Sequence, residues 1–381
     1  MKKRDFIVTI IFLLIILATF ESVIYNMTEI IVDGKADVKT DLAVAIKDSD
    51  YKTSAYINLN GAFQRCIGRS VIEDVDSANT VYKMKNGQLT NVLEERSVNI
   101  VANELKKTKL YLDQEGVSFL YVQAPFKINP DNTQLPTGVS DYSNKRIDDF
   151  LNNIEGTVPY IDMRDEMKKN EWEDMFYITD HHWNNEGAFN ASKAIIEYLQ
   201  KEEEFDIDSG IYAKENWDLE VFENTYLGSR GRRTGRWYAG IDDMQVLTPR
   251  FQTSLRFVTD TGVVKEGNFK DALLDYDKLV TVGDYDAQPY YVYESGEYGH
   301  FSIQNNSADN DKKILLVKDS FGVPVSAFLS LGCQRLDAID TRYMKEKSVK
   351  DYQKLLDPDI IIYLYNPGYV SDTLPDMFRF D

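Results

Sequence analysis

Two of the chain's three histidines, His181 and His182, stand side by side directly after Asp180, in the run TDHHWNN. A carboxylate that orients an imidazole makes it a general base near neutral pH. In an extended segment residues i and i+2 face the same side, so alternation pairs Asp180 with His182 and turns His181 away. The same three residues are a poor metal set, because adjacent histidines rarely reach one ion together and the sequence shows no third, distant ligand. No metal and no cofactor is expected.

A base needs a nucleophile, and KKILLVKDSFGVPVSAFLS supplies one: an apolar run leads straight into Asp319, Ser320, Phe321 and Gly322. A strand-to-helix turn of this kind presents a serine at the carboxyl edge of a sheet, where the N–H groups of Ser320 and Gly322 can face a developing oxyanion. A serine hydroxyl is a weak nucleophile until an adjacent base takes its proton, so Ser320, His182 and Asp180 together make a triad. The stretch GSRGRRTG (228–235) adds glycines that let N–H groups turn inward and arginines that bind anions bidentately. Arg232 and Arg233 therefore either bind an anionic substrate or pair with the chain's own carboxylates, such as Asp242 and Asp243. Arg342, Tyr365 and Asn366 follow or end later strands and are further candidates for substrate contacts. Asn366 is either an oxyanion donor or a turn residue before proline. Trp183 is expected to pack beneath the loop.

The elements that must hold these residues are strands alternating with helices. Helical spacing over 98–112 is followed by VSFLYVQAP; KKILLV, RLDAI and DIIIYLY repeat the pattern later. Near-continuous apolar strands separated by helices imply an α/β fold, a parallel sheet covered on both faces. The stretch 205–300, rich in Gly, Tyr, Thr and Arg, reads as a β-rich insertion.

With 43 Lys and Arg against 62 Asp and Glu, the net charge of -19 repels polyanions and argues against nucleic acid as a partner. Two cysteines, Cys66 and Cys333, exclude a disulfide framework and a cysteine-based zinc site. Lys2, Lys3 and Arg4 precede an apolar run over 6–20, the arrangement that keeps an N-terminus in the cytoplasm and exports the rest of the chain. Residues 1–25 are expected to be an uncleaved single-pass signal anchor, with a removed signal peptide as the alternative. Residues 26–55 then form a stalk and 56–381 the folded domain.

TDHHW with the following Asn and Gly, and VKDSFG on a buried strand, resemble the DHHW family and the related AlgX and AlgJ alginate O-acetylation proteins. VQAPFKI (122–128), GSRGRRTG and DTRYM are further echoes. The resemblance implies an SGNH-hydrolase-like (flavodoxin-like, three-layer) domain, with Asp180, His182 and Ser320 as triad in an order permuted from ordinary SGNH hydrolases. It implies an extracytoplasmic O-acetyltransferase acting on a cell-surface or secreted polysaccharide, with an acyl donor delivered by a membrane acyltransferase. A carbohydrate acetylesterase or a non-catalytic glycan-binding or assembly protein of the same fold are the alternatives. Lys318 departs from the glycine of the family's G-D-S turn, a backbone position less permissive with a side chain.

Overall fold

The computed structural model describes residues 50–279, 285, 287–344 and 347–381. The expected anchor and all but the end of the stalk lie outside the described residues. Among the described residues no helix is long and apolar enough to cross a membrane. The described chain divides into two compact units, one of residues up to Arg69 together with Arg233–Tyr238, the other Ser70–Arg232 with Ala239–Asp381.

The first unit is helix α1 (Asp50–Cys66) and the segment Arg233–Tyr238. A Cβ on Gly61 would lie 2.1 Å from the Thr234 carbonyl oxygen, so the two backbones meet where only glycine fits. Arg236 N–H donates to Asn58 Oδ1 at 2.9 Å and Tyr238 Oη to the Arg69 carbonyl at 2.6 Å.

In the second unit β1 (Val71–Ile72), β2 (Val81–Lys83) and β3 (Leu89–Thr90) form a small antiparallel sheet. The main strands are β4 (Ser118–Gln123) and β5 (Tyr160–Asp162). After them come the separate hairpin β6 (Trp217–Tyr226) and β7 (Asp242–Pro249), then β8 (Leu255–Thr259), β9 (Val264–Gly267) and β10 (His300–Asn305). Last are β11 (Lys313–Lys318), β12 (Arg335–Ile339) and β13 (Ile360–Tyr365). The eight-stranded sheet runs β5-β4-β13-β11-β12-β10-β8-β9.

The expected parallel sheet is found in five strands, β5 through β12, and the other three are antiparallel. Two of them, β8 and β9, lie in the stretch read as an insertion, and β10 begins at its last residue, His300; β8 and β9 are joined by a short turn, which can only return a strand antiparallel. Burial follows the same division. Every residue of β13 is buried, whereas β8 and β10 alternate, as an antiparallel extension with one open face should.

The pleat divides the core. Ile360, Ile362 and Leu364 of β13, with Leu316 of β11, point to the face covered by α4 (Asn185–Glu202) and α5 (Gly322–Leu329). Ile361, Tyr363 and Tyr365, with Val317, point to the face covered by α2 (Asn99–Glu115), α3 (Ser143–Ile154) and α6 (Val349–Leu356). The result is three layers, as the strand composition implies. Val317 pairs with both Ile339 and Tyr363, so β11, β12 and β13 end together at one carboxyl edge.

Candidate active site

Ser320 leaves that edge one residue beyond Asp319, on the turn from β11 into α5. Asp319 ties the turn. Its Oδ1 accepts the Phe321 N–H at 2.7 Å, and its Oδ2 accepts the N–H and Nδ2 of Asn366 at 2.8 and 2.7 Å, joining the ends of β11 and β13. Burial pushes the Asp319 carboxyl up from its ordinary range, against these donors that hold the charged form.

Lys318 is fully buried as the last residue of β11, outside the left-handed region, so its backbone needs no glycine. Its side chain lies over the position where a Cβ on Gly322 would stand, 2.5 Å from Cδ, which makes glycine obligatory at 322 instead. Among the described residues its ammonium has no hydrogen-bond partner, and it sits 5.6 Å over the Phe301 ring. Glu294, pushed up to about 8 by burial, is an electrostatic neighbour.

Asp180, His181 and His182 lie on a bent segment ahead of α4, whose first turn Asn184 caps by accepting the Gly187 N–H at 2.9 Å. His182 Nδ1 is 2.6 Å from Asp180 Oδ1, and His182 Nε2 is 2.8 Å from Ser320 Oγ. The Tyr290 ring stacks on His182 at 4.1 Å, and its hydroxyl donates to the Ser320 carbonyl at 3.0 Å. Trp183, wholly buried, donates Nε1 to the Phe321 carbonyl at 3.1 Å, beneath the turn.

The expectation that His181 turns away from Asp180 is overturned. Its Nδ1 is 3.1 Å from Asp180 Oδ1 and 3.1 Å from Ser229 Oγ, and the two imidazoles lie 3.9 Å apart. The segment is a bend and not a strand, so alternation does not apply. Burial works to raise the Asp180 carboxyl, but the two imidazoles more than offset it and hold it well below its ordinary range. Burial, then repulsion from His181, lowers His182 to about 4. Ligand atoms of Asp180, His181 and His182 all lie within 4.8 Å of one another, the one such cluster among the described residues. Both nitrogens of His182 are engaged, with Asp180 and with Ser320, which suits proton transfer rather than an ion.

The glycine-rich stretch buttresses Asp180. A Cβ on Gly228 would lie 2.4 Å from Asp180 Cβ, and one on Gly231 2.8 Å from Thr179 Cβ. The N–H groups do turn inward, but onto the loop itself. Ser229 donates to Asp180 Oδ2 at 2.5 Å, and Arg230 and Gly231 donate to the Thr179 carbonyl at 3.0 and 2.8 Å. Arg232 donates Nη1 to the Ala287 carbonyl at 3.1 Å, while Arg233 is exposed. Asp242, weighed as an arginine partner, instead accepts the Ile178 and Thr179 N–H groups.

Four other candidates are engaged within the fold. The Gly322 N–H donates to the Asp319 carbonyl at 3.0 Å, closing the turn. Arg342 binds Asp340 and Glu297 at 2.5 and 2.7 Å. Tyr365 is buried on the α2 side, its hydroxyl donating to the Met377 carbonyl at 2.7 Å, because odd-numbered positions of β13 face that layer. Asn366 serves the turn, its Oδ1 accepting the Gly368 N–H at 2.8 Å. Sequence reasoning missed Tyr290, for which no local signal exists. It also passed over Lys127, whose signal was a lysine between the buried Phe126 and Ile128.

Residues 84–220 match the family model described as SGNH hydrolase-like domain, acetyltransferase AlgX. The fold is SGNH-hydrolase-like. The matched stretch holds Asp180 and His182 and ends ahead of Ser320. Among solved structures, PatB1 of Bacillus cereus is 22% identical over 82% of this chain and 99% of that one, with a TM-score of 0.64. The same protein with a sulfonyl adduct gives 21% identity and the same TM-score of 0.64 over 82% and 99% of the two chains. A DHHW family protein from Eubacterium siraeum is 16% identical over 81% of this chain and 96% of its own, with a TM-score of 0.61. At these identities the likeness is one of fold. No curated protein matches the chain. Within this SGNH-like frame the Asp–His pair precedes the serine in the chain, with His182 on the entry to α4 and Ser320 on the exit of β11.

Proposed function

We propose that this chain is a serine-dependent O-acyltransferase, with acetyl as the transferred group, acting outside the cytoplasm on a polysaccharide and tethered by residues 1–25. The observation that carries the reading is the hydrogen-bonded line from Asp180 through His182 to Ser320 Oγ, at 2.6 and 2.8 Å. The name of the matched family, an acetyltransferase, supports the acyl group. The basic flank before the apolar run supports the tether.

In the first half-reaction His182 Nε2 takes the Ser320 proton as Oγ bonds to the acyl carbon of the donor, and the donor's leaving group departs with that proton. In the second, a sugar hydroxyl gives its proton to His182 and attacks the acyl-serine, and Ser320 regains the proton as the new ester leaves. The Ser320 N–H is the oxyanion donor at the turn, because the Gly322 N–H is spent within it. Water in place of the sugar would make the same site an acetylesterase. Incubation with a chromogenic acetyl ester, with and without a polysaccharide acceptor, tests this. Acetylated glycan supports the transferase, acceptor-independent release of acetate moves the reading to esterase, and no turnover refutes both.

A further inference from the structure

Lys127 is 1% exposed and lies between Phe126 and Ile128, whose side chains pack into a small apolar cluster. Its ammonium donates to the carbonyls of Leu89 at 2.9 Å and Ile178 at 3.3 Å, and to those of Tyr177 and Asp180. The acceptors are the end of the small sheet and three of the four residues leading to and including Asp180. On the other pole of the same peptides, Asp242 accepts the N–H groups of Ile178 and of Thr179, the latter at 2.7 Å, together with the Thr179 hydroxyl. A cation thus gathers the carbonyls of this segment and an anion gathers its N–H groups.

We propose that Lys127, with Asp242 opposite, is the positioning residue of the active-site loop: its protonated amine fixes the peptide that aims Asp180 at His182. This rests on the triad reading. An ammonium has only donors, which suits four carbonyl oxygens, whereas a neutral amine turns a lone pair toward them. Charge on Lys127 therefore holds the loop, and its loss releases it. Catalytic geometry of this kind tolerates little displacement, because misplacement by about 1 Å costs on the order of 100-fold in rate.

The charged groups facing Lys127 are Asp242 from β7, Asp180 from the loop and Arg230 from the short helix Ser229–Thr234. Burial lowers the lysine from its ordinary 10.5 to about 8, and the two carboxylates offset part of that loss. Activity and stability then move in opposite directions. Between about 8 and 10.5 the unfolded chain binds more protons than the folded one, so this lysine makes stability rise with pH while the loop loses its cation.

The test uses the full chain turning over an acetyl ester, with urea unfolding measured in parallel. The expected kcat falls as pH rises through about 8 with KM unchanged, without loss of folded stability. Lys127→Met lowers kcat on the order of 100-fold at constant KM, and Lys127→Arg, which keeps its charge, restores activity above pH 8. A flat kcat through that range, or a folded Lys127→Met with wild-type kcat, overturns the proposal. If the wild type turns over no ester, the acyl-transfer reading has failed and the clamp is judged separately. The downfield proton resonance of the His182 Nδ1–H in its bond to Asp180 is then expected to vanish in Lys127→Met, and its persistence there overturns the clamp.

Discussion

His181 Nδ1 lies 3.1 Å from Oδ1 of Asp180, the oxygen that also receives His182 Nδ1 at 2.6 Å. After burial, His181 is the largest influence lowering His182. His182 is therefore neutral, and able to act as a base, from about pH 4 upward.

His181→Ala removes that repulsion, so the affinity of His182 for a proton should rise toward its ordinary value. The acid limb of kcat/KM is expected to move upward by roughly one pH unit. Stability carries the same sign. Between 6.5 and about 4 the unfolded chain binds the proton that folded His182 refuses, so stability falls as pH falls across that window. The window should narrow in His181→Ala. A pH–rate profile with an unmoved acid limb would show that the two rings are not coupled.

Asp319 gathers three N–H donors from the ends of two neighbouring strands while wholly buried. Asp319→Ala orphans all three and is expected to cost roughly 3 kcal/mol. Urea unfolding should show a lower midpoint at unchanged m-value, and a midpoint equal to wild type would mean that the turn is held by other contacts.

Arg232 donates to a main-chain carbonyl of the segment that leads to Tyr290, the ring stacked on His182. Arg232→Ala is expected to lower stability by about 1 kcal/mol with KM changed less than twofold. A large, salt-sensitive rise in KM with intact stability would reverse this and assign the arginine to an anionic substrate.

How far the sequence carried depended on whether a feature is local. The parallel strands were legible because β4, β11 and β13 are buried on both faces and read as continuous apolar runs. Asp180, His182 and Ser320 were legible because Asp–x–His and strand–Asp–Ser are short patterns whose chemistry demands a partner. The side of His181 was not, since alternation holds for strands and the segment bends. The role of GSRGRRTG was half legible: its glycines bring N–H groups to a carboxylate, but that carboxylate is Asp180, 49 residues earlier than Ser229. Nor could any local pattern reveal that Asp242 and Lys127 meet the same peptides, because that pairing is made only by the hairpin β6–β7 folding against the loop.

The most direct test of the account is covalent labelling of Ser320 by a serine-directed phosphonate, read by intact mass and set beside kcat for His182→Ala, Ser320→Ala and the double variant. Residues that act as one unit lose activity once, so all three should fall by a common factor on the order of 10³ or more, without additivity. Wild type and His181→Ala should label on Ser320, and folded His182→Ala should not. Labelling that survives in His182→Ala but vanishes in folded His181→Ala would contradict the account by making His181 the base.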